Sequence, residues 1–183
     1  MSDKRIDGPE LFYDTGLRRC PNDQCFCLIF FILSYHKQNG DKALYIYPPA
    51  LIDFNKESIP SAVATTFEEA LKCHANECFI SSAIMIRKTL EEICAERNIT
   101  DENLKKKIRK LGDKIIIPKE LISGMNHLRL LGNDVAHIES KTFSKINKEE
   151  IEVGIEFTKE ILKAVYQYQN LLERLIKLKI PDQ

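Results

Sequence analysis

Helical periodicity from Pro60 to about Leu178 limits the folds open to this chain more than any other feature. Apolar residues recur there at intervals of three and four, which places them on one face of an α-helix. Asn76, Gly112 and the polar residues 140–145 divide this run into segments. The pattern therefore predicts a mainly α fold, a bundle of four to five helices.

Local signals give the expected ends of these helices. The first helix begins either with Pro60 as its first residue or at Thr66, which has the spacing of a capping box, and it runs to about His74. The expected ranges of the next two are 77–97 and 101–111, with Gly112 ending the latter, and Pro118 fits the first turn of the fourth. Asn147 with Glu150 predicts a capped start for the longest helix, which runs to about Leu178. Its apolar stripe exceeds what three short helices can cover, so a homodimer is expected.

The first 49 residues carry a different pattern. Residues 1–19 are polar without a clear period and are interpreted as a loose arm. Residues 26–35 and 43–47 read as two strands joined by a turn at residues 38–41, and Pro48 and Pro49 stop the pairing. The expected organisation is an N-terminal arm with a small β-hairpin over residues 1–49, followed by a helical bundle over residues 50–183.

Three cysteines, Cys20, Cys25 and Cys27, lie in the N-terminal segment. A structural zinc site takes four thiolate or imidazole ligands, usually from two knuckles, whereas this segment offers one irregular knuckle. The expectation is a turn with incidental cysteines, with neither a metal nor another cofactor.

Charge and hydropathy exclude several classes of protein. Lys plus Arg equals Asp plus Glu at 27 each, which argues against a broad nucleic-acid clamp but leaves room for a local basic groove. Lys105, Lys106 and Arg109 are the candidates for RNA contacts, although a solvated helix face explains the same pattern. The sequence shows no signal peptide or membrane-spanning run, and its cysteines suit a reducing compartment, so a cytoplasmic location is expected.

The stretch from Leu128 to His137 concentrates the polar residues with catalytic potential. Arg129, Asn133 and His137 follow one another at intervals of four and would share one helix face. Gly132 weakens a helix by about 1 kcal/mol relative to alanine, or else permits close approach of another backbone. The simpler interpretation is a capped helix end with ordinary terminal residues.

A second polar pair, Arg87 and Glu91, lies on the otherwise apolar second helix. Because unpaired buried charges are costly, we expect Arg87, Glu91, Asn133 and His137 to form one hydrogen-bonded cluster, with Asp134 beside it. If that cluster is buried and structural, Glu91→Ala should destabilise the fold by about 3–5 kcal/mol.

Residues 47–175 resemble a bacterial family catalogued as domain of unknown function 4145. The signals that carry this resemblance are Tyr47-Pro48-Pro49, Phe67-Glu68-Glu69-Ala70, Ile84-Met85-Ile86-Arg87-Lys88-Thr89-Leu90-Glu91 and Leu131-Gly132-Asn133-Asp134-Val135-Ala136-His137. The family is similar to the HEPN superfamily of helical bundles, which is often associated with restriction-modification and anti-phage defence systems. Some members carry a zinc knuckle in front, and residues 20–27 resemble a degenerate remnant of one.

The resemblance implies two classes of function. Active HEPN ribonucleases place an Arg four to six residues before a His, and the pair meets its copy across a dimer. Here His137 matches the histidine, but Arg129 lies eight positions earlier and Asn133 and Asp134 occupy the polar positions between them. A non-catalytic dimerisation, adaptor or RNA-binding module is therefore favoured, with RNA or another defence-system protein as partner. The alternative is a metal-independent endoribonuclease with a composite site at the dimer interface, where Arg87 could supply the cation.

Overall fold

The chain divides into two units, residues 1–50 and residues 51–183. A computed structural model of the protein describes residues 11–21, 25–36, 42–136 and 146–179. The first unit holds a small antiparallel sheet and the second holds the helices. The predicted mainly α fold with an N-terminal β element is confirmed at this level.

Three strands form the N-terminal sheet, in the order β1 (Leu11–Arg19), β2 (Leu28–His36) and β3 (Lys42–Tyr47). The predicted hairpin corresponds to β2 and β3, which pair with Ile32 opposite Tyr45. The interpretation of residues 1–19 as a loose arm is wrong for residues 11–19, which pair with β2 along their whole length. Strand pairing uses backbone groups, so a strand with polar side chains forms wherever a neighbouring edge is free.

Large apolar side chains of this sheet are exposed on both faces. Successive residues of a strand point to opposite sides, and both Phe12 and Tyr13 are exposed. Leu17, Leu28 and Tyr47 are exposed as well. The alternation of apolar and polar residues in β1 is correspondingly weak in the sequence.

The second unit contains six α-helices and one π-helical segment among its described residues. They are α1 (Ser61–Ala75), α2 (Phe79–Glu96), α3 (Leu104–Lys114), α4 (Lys119–Ala136), α5 (Lys148–Leu162), a π-helical segment (Lys163–Gln167) and α6 (Tyr168–Lys179). Helix α2 is central, because it packs against α1, α3, α4 and α5. Among the described residues, no helix combines the length and the apolar character needed to cross a membrane.

Most helix ends lie close to their predicted positions. Helix α1 begins directly after Pro60, and Asn147 and Glu150 form the predicted capping box at the start of α5. Gly112 does not end α3, which continues to Lys114. A Cβ added to Gly112 would lie 3.1 Å from Cδ1 of Ile122, so this glycine marks a close contact between α3 and α4 rather than a helix end.

The core of the helical unit is built from the inner faces of α1 to α5. Its largest fully buried side chains are Phe67, Ile86, Leu90, Ile93, Ile108, Leu111, Met125, Ile151, Ile155, Ile161, Leu162 and Val63. Phe67 meets Phe54 edge-on, with ring centroids 4.8 Å apart. Segment 51–58, which precedes α1, is thereby fixed to the bundle.

The predicted long helix is continuous from Lys148 to Lys179, but it contains a π turn that its sequence did not indicate. The backbone stays helical at both ends of that turn, and the amide of Tyr168 donates to the carbonyl of Lys163. The Arg97 guanidinium donates to the carbonyl of Val165 at 2.8 Å and lies over the ring of Tyr166, whose hydroxyl donates to Glu96. The pKa of Tyr166 is raised above its ordinary range, mainly by burial and secondly by the negative charge of Glu96.

Candidate functional site

Helix α4 carries the stretch that the sequence analysis selected. The helix is described as far as Ala136, and His137 lies outside the described residues. The backbones of Asn133 and Asp134 belong to α4, but their side chains are likewise outside the description. Their roles in catalysis or in a polar cluster therefore remain predictions.

Gly132 brings α4 close to α2. A Cβ at this position would lie 2.5 Å from Cβ of Arg87 and 3.1 Å from the carbonyl oxygen of Ala83. Of the two roles predicted for this glycine, the close approach of another backbone is the one the structure shows. Arg87 consequently lies beside the selected stretch.

Arg87 and Glu91 form an ion pair on α2, with Nη1 and Oε1 3.0 Å apart. The side chains are 32% and 30% exposed, so the expectation of a buried pair is wrong. One donor atom of Arg87, Nε, is nevertheless buried without a hydrogen-bond partner among the described residues, and the same holds for Nε of Arg129.

The partial exposure of this pair lowers the expected effect of Glu91→Ala to about 1 kcal/mol or less, because solvent screens a half-exposed ion pair. Chemical denaturation followed by circular dichroism measures the difference. Glu92→Ala is a matched control, since Glu92 pairs with Lys88 on the same helix at 2.9 Å. A loss above about 3 kcal/mol for Glu91→Ala alone would restore the buried-cluster interpretation.

A basic groove of about 680 Å³ lies between α3 and α4. Its cationic residues are Lys105, Lys106, Arg109 and Lys119, and Asp113 also lines it. Lys106 pairs with Glu102, whereas no carboxylate among the described residues forms an ion pair with Lys105, Arg109 or Lys119. The three predicted RNA-contacting residues thus line one groove, and the fourth cation was not anticipated.

A second groove, of about 560 Å³, lies between α4 and α5 and is mostly apolar; we call it the α4–α5 groove. It is lined by Gly124, His127, Leu128, Leu131, Glu149, Glu150, Val153, Gly154 and Phe157. The ring of Phe157 occupies the space that a side chain at position 124 would fill. The sequence analysis did not identify this groove, although two glycines inside helices were the available signal.

Helix α6 exposes an apolar stripe, which consists of Tyr168, Leu171, Leu172, Leu175, Ile176 and Leu178. These side chains are 49% to 84% exposed. In α5, by contrast, Ile151, Ile155, Ile161 and Leu162 are buried. The helix is amphipathic, with Glu173 and Lys177 on its polar side. The prediction that the long helix carries more apolar surface than its own bundle covers is confirmed.

Cys20, Cys25 and Cys27 converge at one end of the N-terminal sheet. Their sulfur atoms all lie within 4.8 Å of one another, and those of Cys25 and Cys27 are 3.2 Å apart. The pKa of Cys25 is lowered, mainly by a hydrogen bond with the backbone of Cys27 and secondly by one with its thiol. The hydrogen bond with Cys25 in turn raises the pKa of Cys27 to about 11. The sequence interpretation as incidental cysteines did not anticipate this convergence.

The three thiols do not complete a closed zinc site, because the described residues place only three ligand groups together and a structural site takes four. We therefore still predict no stoichiometric zinc in the purified protein. Elemental analysis of protein purified without chelator is the measurement. One zinc per chain, lost in Cys20→Ser and Cys25→Ser but retained in the control Cys78→Ser, would contradict the prediction.

Comparison with known proteins places the chain in a family. The profile of the domain of unknown function DUF4145 matches residues 68–179, which is more than half of the chain and includes all six helices at least in part. A search of curated proteins and a search of solved structures gave no significant match. The matched region contains Arg87, Gly132, both grooves and the exposed stripe of α6. The chain belongs to the DUF4145 family.

Proposed function

We propose that this protein is a non-catalytic dimerisation module, an HEPN-like bundle of the kind associated with bacterial defence systems. The exposed apolar stripe of α6 is the observation that carries this proposal. Apolar patches of this kind commonly mark protein interaction sites. The departure from the Arg–His spacing of HEPN ribonucleases supports a role other than catalysis.

The stripe has the spacing of a helix-pairing surface. Leu171, Leu175 and Leu178 recur at intervals of four and three, and Tyr168 precedes them by another three. Full burial of one leucine side chain contributes about 1.5–3 kcal/mol. A few such residues on each partner supply the scale of free energy that a specific dimer requires.

The double variant Leu171→Glu/Leu175→Glu tests the proposal. The expected loss of about 3 kcal/mol raises the dissociation constant of the dimer about a hundredfold. Sedimentation equilibrium of the full chain measures the constant. Gln169→Ala is the control, because it shortens an exposed polar side chain of the same helix without changing the charge. A wild-type chain that stays monomeric at every accessible concentration would overturn the proposal.

The basic groove supports a second candidate, RNA binding by the same module. Lys105, Arg109 and Lys119 have no ion-pair partner among the described residues, so binding a phosphate there breaks none of the described ion pairs. Three or four phosphate contacts to a single strand predict a slope of about −2 to −3 for the logarithm of affinity against the logarithm of salt concentration.

Fluorescence anisotropy with a labelled single-stranded RNA tests this second candidate. Lys105→Glu/Arg109→Glu should abolish the salt-dependent binding, whereas Lys72→Glu, an exposed lysine on α1, should leave it unchanged. Wild-type affinity in the double variant would exclude the groove as the binding site. The same samples, analysed on a gel without added metal, report on the endoribonuclease alternative, and His137→Ala is the variant that would abolish cleavage.

A further inference from the structure

We infer that the α4–α5 groove receives helix α6 of a second copy of this chain. The inference rests on the proposed dimerisation and deepens it, because it names the surface that the exposed stripe contacts. Within the described part of the helical unit, two apolar features lack a partner: the α4–α5 groove, which is concave, and the α6 stripe, which is convex. Contact between the stripe and the groove would remove the apolar surface of both from water.

The dimensions of the two features agree. Along α4 the groove extends from Gly124 to Leu131, and along α5 from Glu149 to Phe157. At 1.5 Å per residue these spans are about 11 Å and 12 Å. The stripe from Leu171 to Leu178 covers about 11 Å of α6 by the same measure. Two helical turns of α6 therefore fill the groove.

The helix of the same chain cannot occupy this groove. Helix α5 forms one wall of it, and the helical backbone continues from α5 through the π segment into α6 without an intervening loop. Helix α6 consequently points away from its own α5. The occupant must then come from another molecule.

Charge favours this pairing over contact between two α6 helices. Glu149 and Glu150 stand at one end of the groove, in the first turn of α5. Helix α6 carries one acidic residue, Glu173, against Arg174, Lys177 and Lys179; Arg174 also forms an exposed ion pair with Glu57 of its own chain at 3.7 Å. A basic helix beside an acidic rim is complementary, whereas two copies of α6 packed together repel each other.

Reciprocal exchange closes the assembly. If α6 of one protomer lies in the groove of its partner, a twofold axis places the partner's α6 in the first groove, and both apolar features are covered in a dimer. Helix-in-groove contact is a common mode of recognition between proteins, and here both parts belong to one sequence.

Photocrosslinking identifies the contact. The photoreactive residue p-benzoylphenylalanine is introduced at Leu178 of the full chain. It should crosslink to peptides from α4 or α5 of the other copy. Crosslinks between copies are mapped by mass spectrometry of a mixture of unlabelled and isotopically heavy protein. Crosslinks to α6 of the other copy would overturn this inference while leaving the proposed dimerisation intact. A monomeric chain without crosslinks would overturn both.

Groove variants give an independent measurement. Val153 lines the groove and is exposed, so Val153→Glu places a charge on the docking surface and should raise the dissociation constant of the dimer at least tenfold. Ile84→Glu, at an exposed apolar position of α2, should not. Glu149→Lys and Arg174→Glu should each weaken the dimer, and the combined charge exchange should recover most of the loss. Dimer affinity unchanged in Val153→Glu, with the chain still folded by circular dichroism, would contradict the inference.

Discussion

Replacing Phe67 with alanine is expected to lower the free energy of unfolding by about 3–5 kcal/mol, which is the largest loss we expect from a single substitution in this chain. The Phe67 side chain is fully buried, and its ring meets that of Phe54 edge-on. Truncation removes apolar contacts and leaves a cavity that the surrounding helices fill only in part. It also releases segment 51–58 from the bundle.

Urea denaturation followed by circular dichroism measures this loss. Ile116→Ala is the control, because Ile116 is fully exposed and its truncation should change the free energy of unfolding by less than about 0.5 kcal/mol. Similar losses in the two variants would show that the packing around Phe67 is not as described. Because the proposed dimer would make the free energy of unfolding depend on protein concentration, both variants are compared at one concentration.

Two glycine-to-alanine substitutions in neighbouring helices should have opposite effects. At Gly132 the new Cβ would meet Cβ of Arg87 at 2.5 Å and the Ala83 carbonyl at 3.1 Å, neither of which moves without the backbone of α2. At Gly154 the nearest atom is Cδ2 of Leu128 at 3.4 Å, an ordinary contact. Overpacking lowers the free energy of unfolding by about 1–3 kcal/mol, whereas the higher helix propensity of alanine raises it by about 1 kcal/mol.

Gly132→Ala should therefore destabilise the protein by up to about 2 kcal/mol, while Gly154→Ala should stabilise it by up to about 1 kcal/mol. Thermal melts of both variants beside the wild type give the signs directly. Because each variant is the control for the other, a general effect of alanine in a helix cannot produce the expected result. Stabilisation by both substitutions would mean that α2 and α4 are farther apart at Arg87 than described.

The helical part of the fold was predictable because its signals are local. The capping box at Asn147 and the start of α1 after Pro60 involve residues within one turn of each other. Strand β1 was missed because its side chains are not sorted between a buried and an exposed face, although its partner β2 is the next strand in the chain. Gly112 was misread as a helix end because the contact that explains it, Ile122, lies on another helix.

The candidate site was predictable only in part. The approach of α2 to Gly132 was one of two roles proposed for that glycine, and the basic residues of α3 do line one groove. The exposure of the Arg87–Glu91 pair and the α4–α5 groove depend on how helices pack, which the periodicity of a single helix does not determine. The selection of Asn133, Asp134 and His137 stays a prediction, because their side chains lie outside the described part of the chain.

Because of the π turn between α5 and α6, the direction of the α6 side chains around the helix axis is set separately from the direction of the α5 side chains. A π turn accommodates one extra residue, which rotates everything that follows by about 100° around the helix axis. Upstream of it, the phase is fixed by the core, with Ile155 and Ile161 buried. Downstream, the phase decides which way the α6 stripe faces. The buried face of α5 and the exposed stripe of α6 therefore do not follow one uninterrupted α-helical period, and the sequence period of α5 does not give the direction of the stripe.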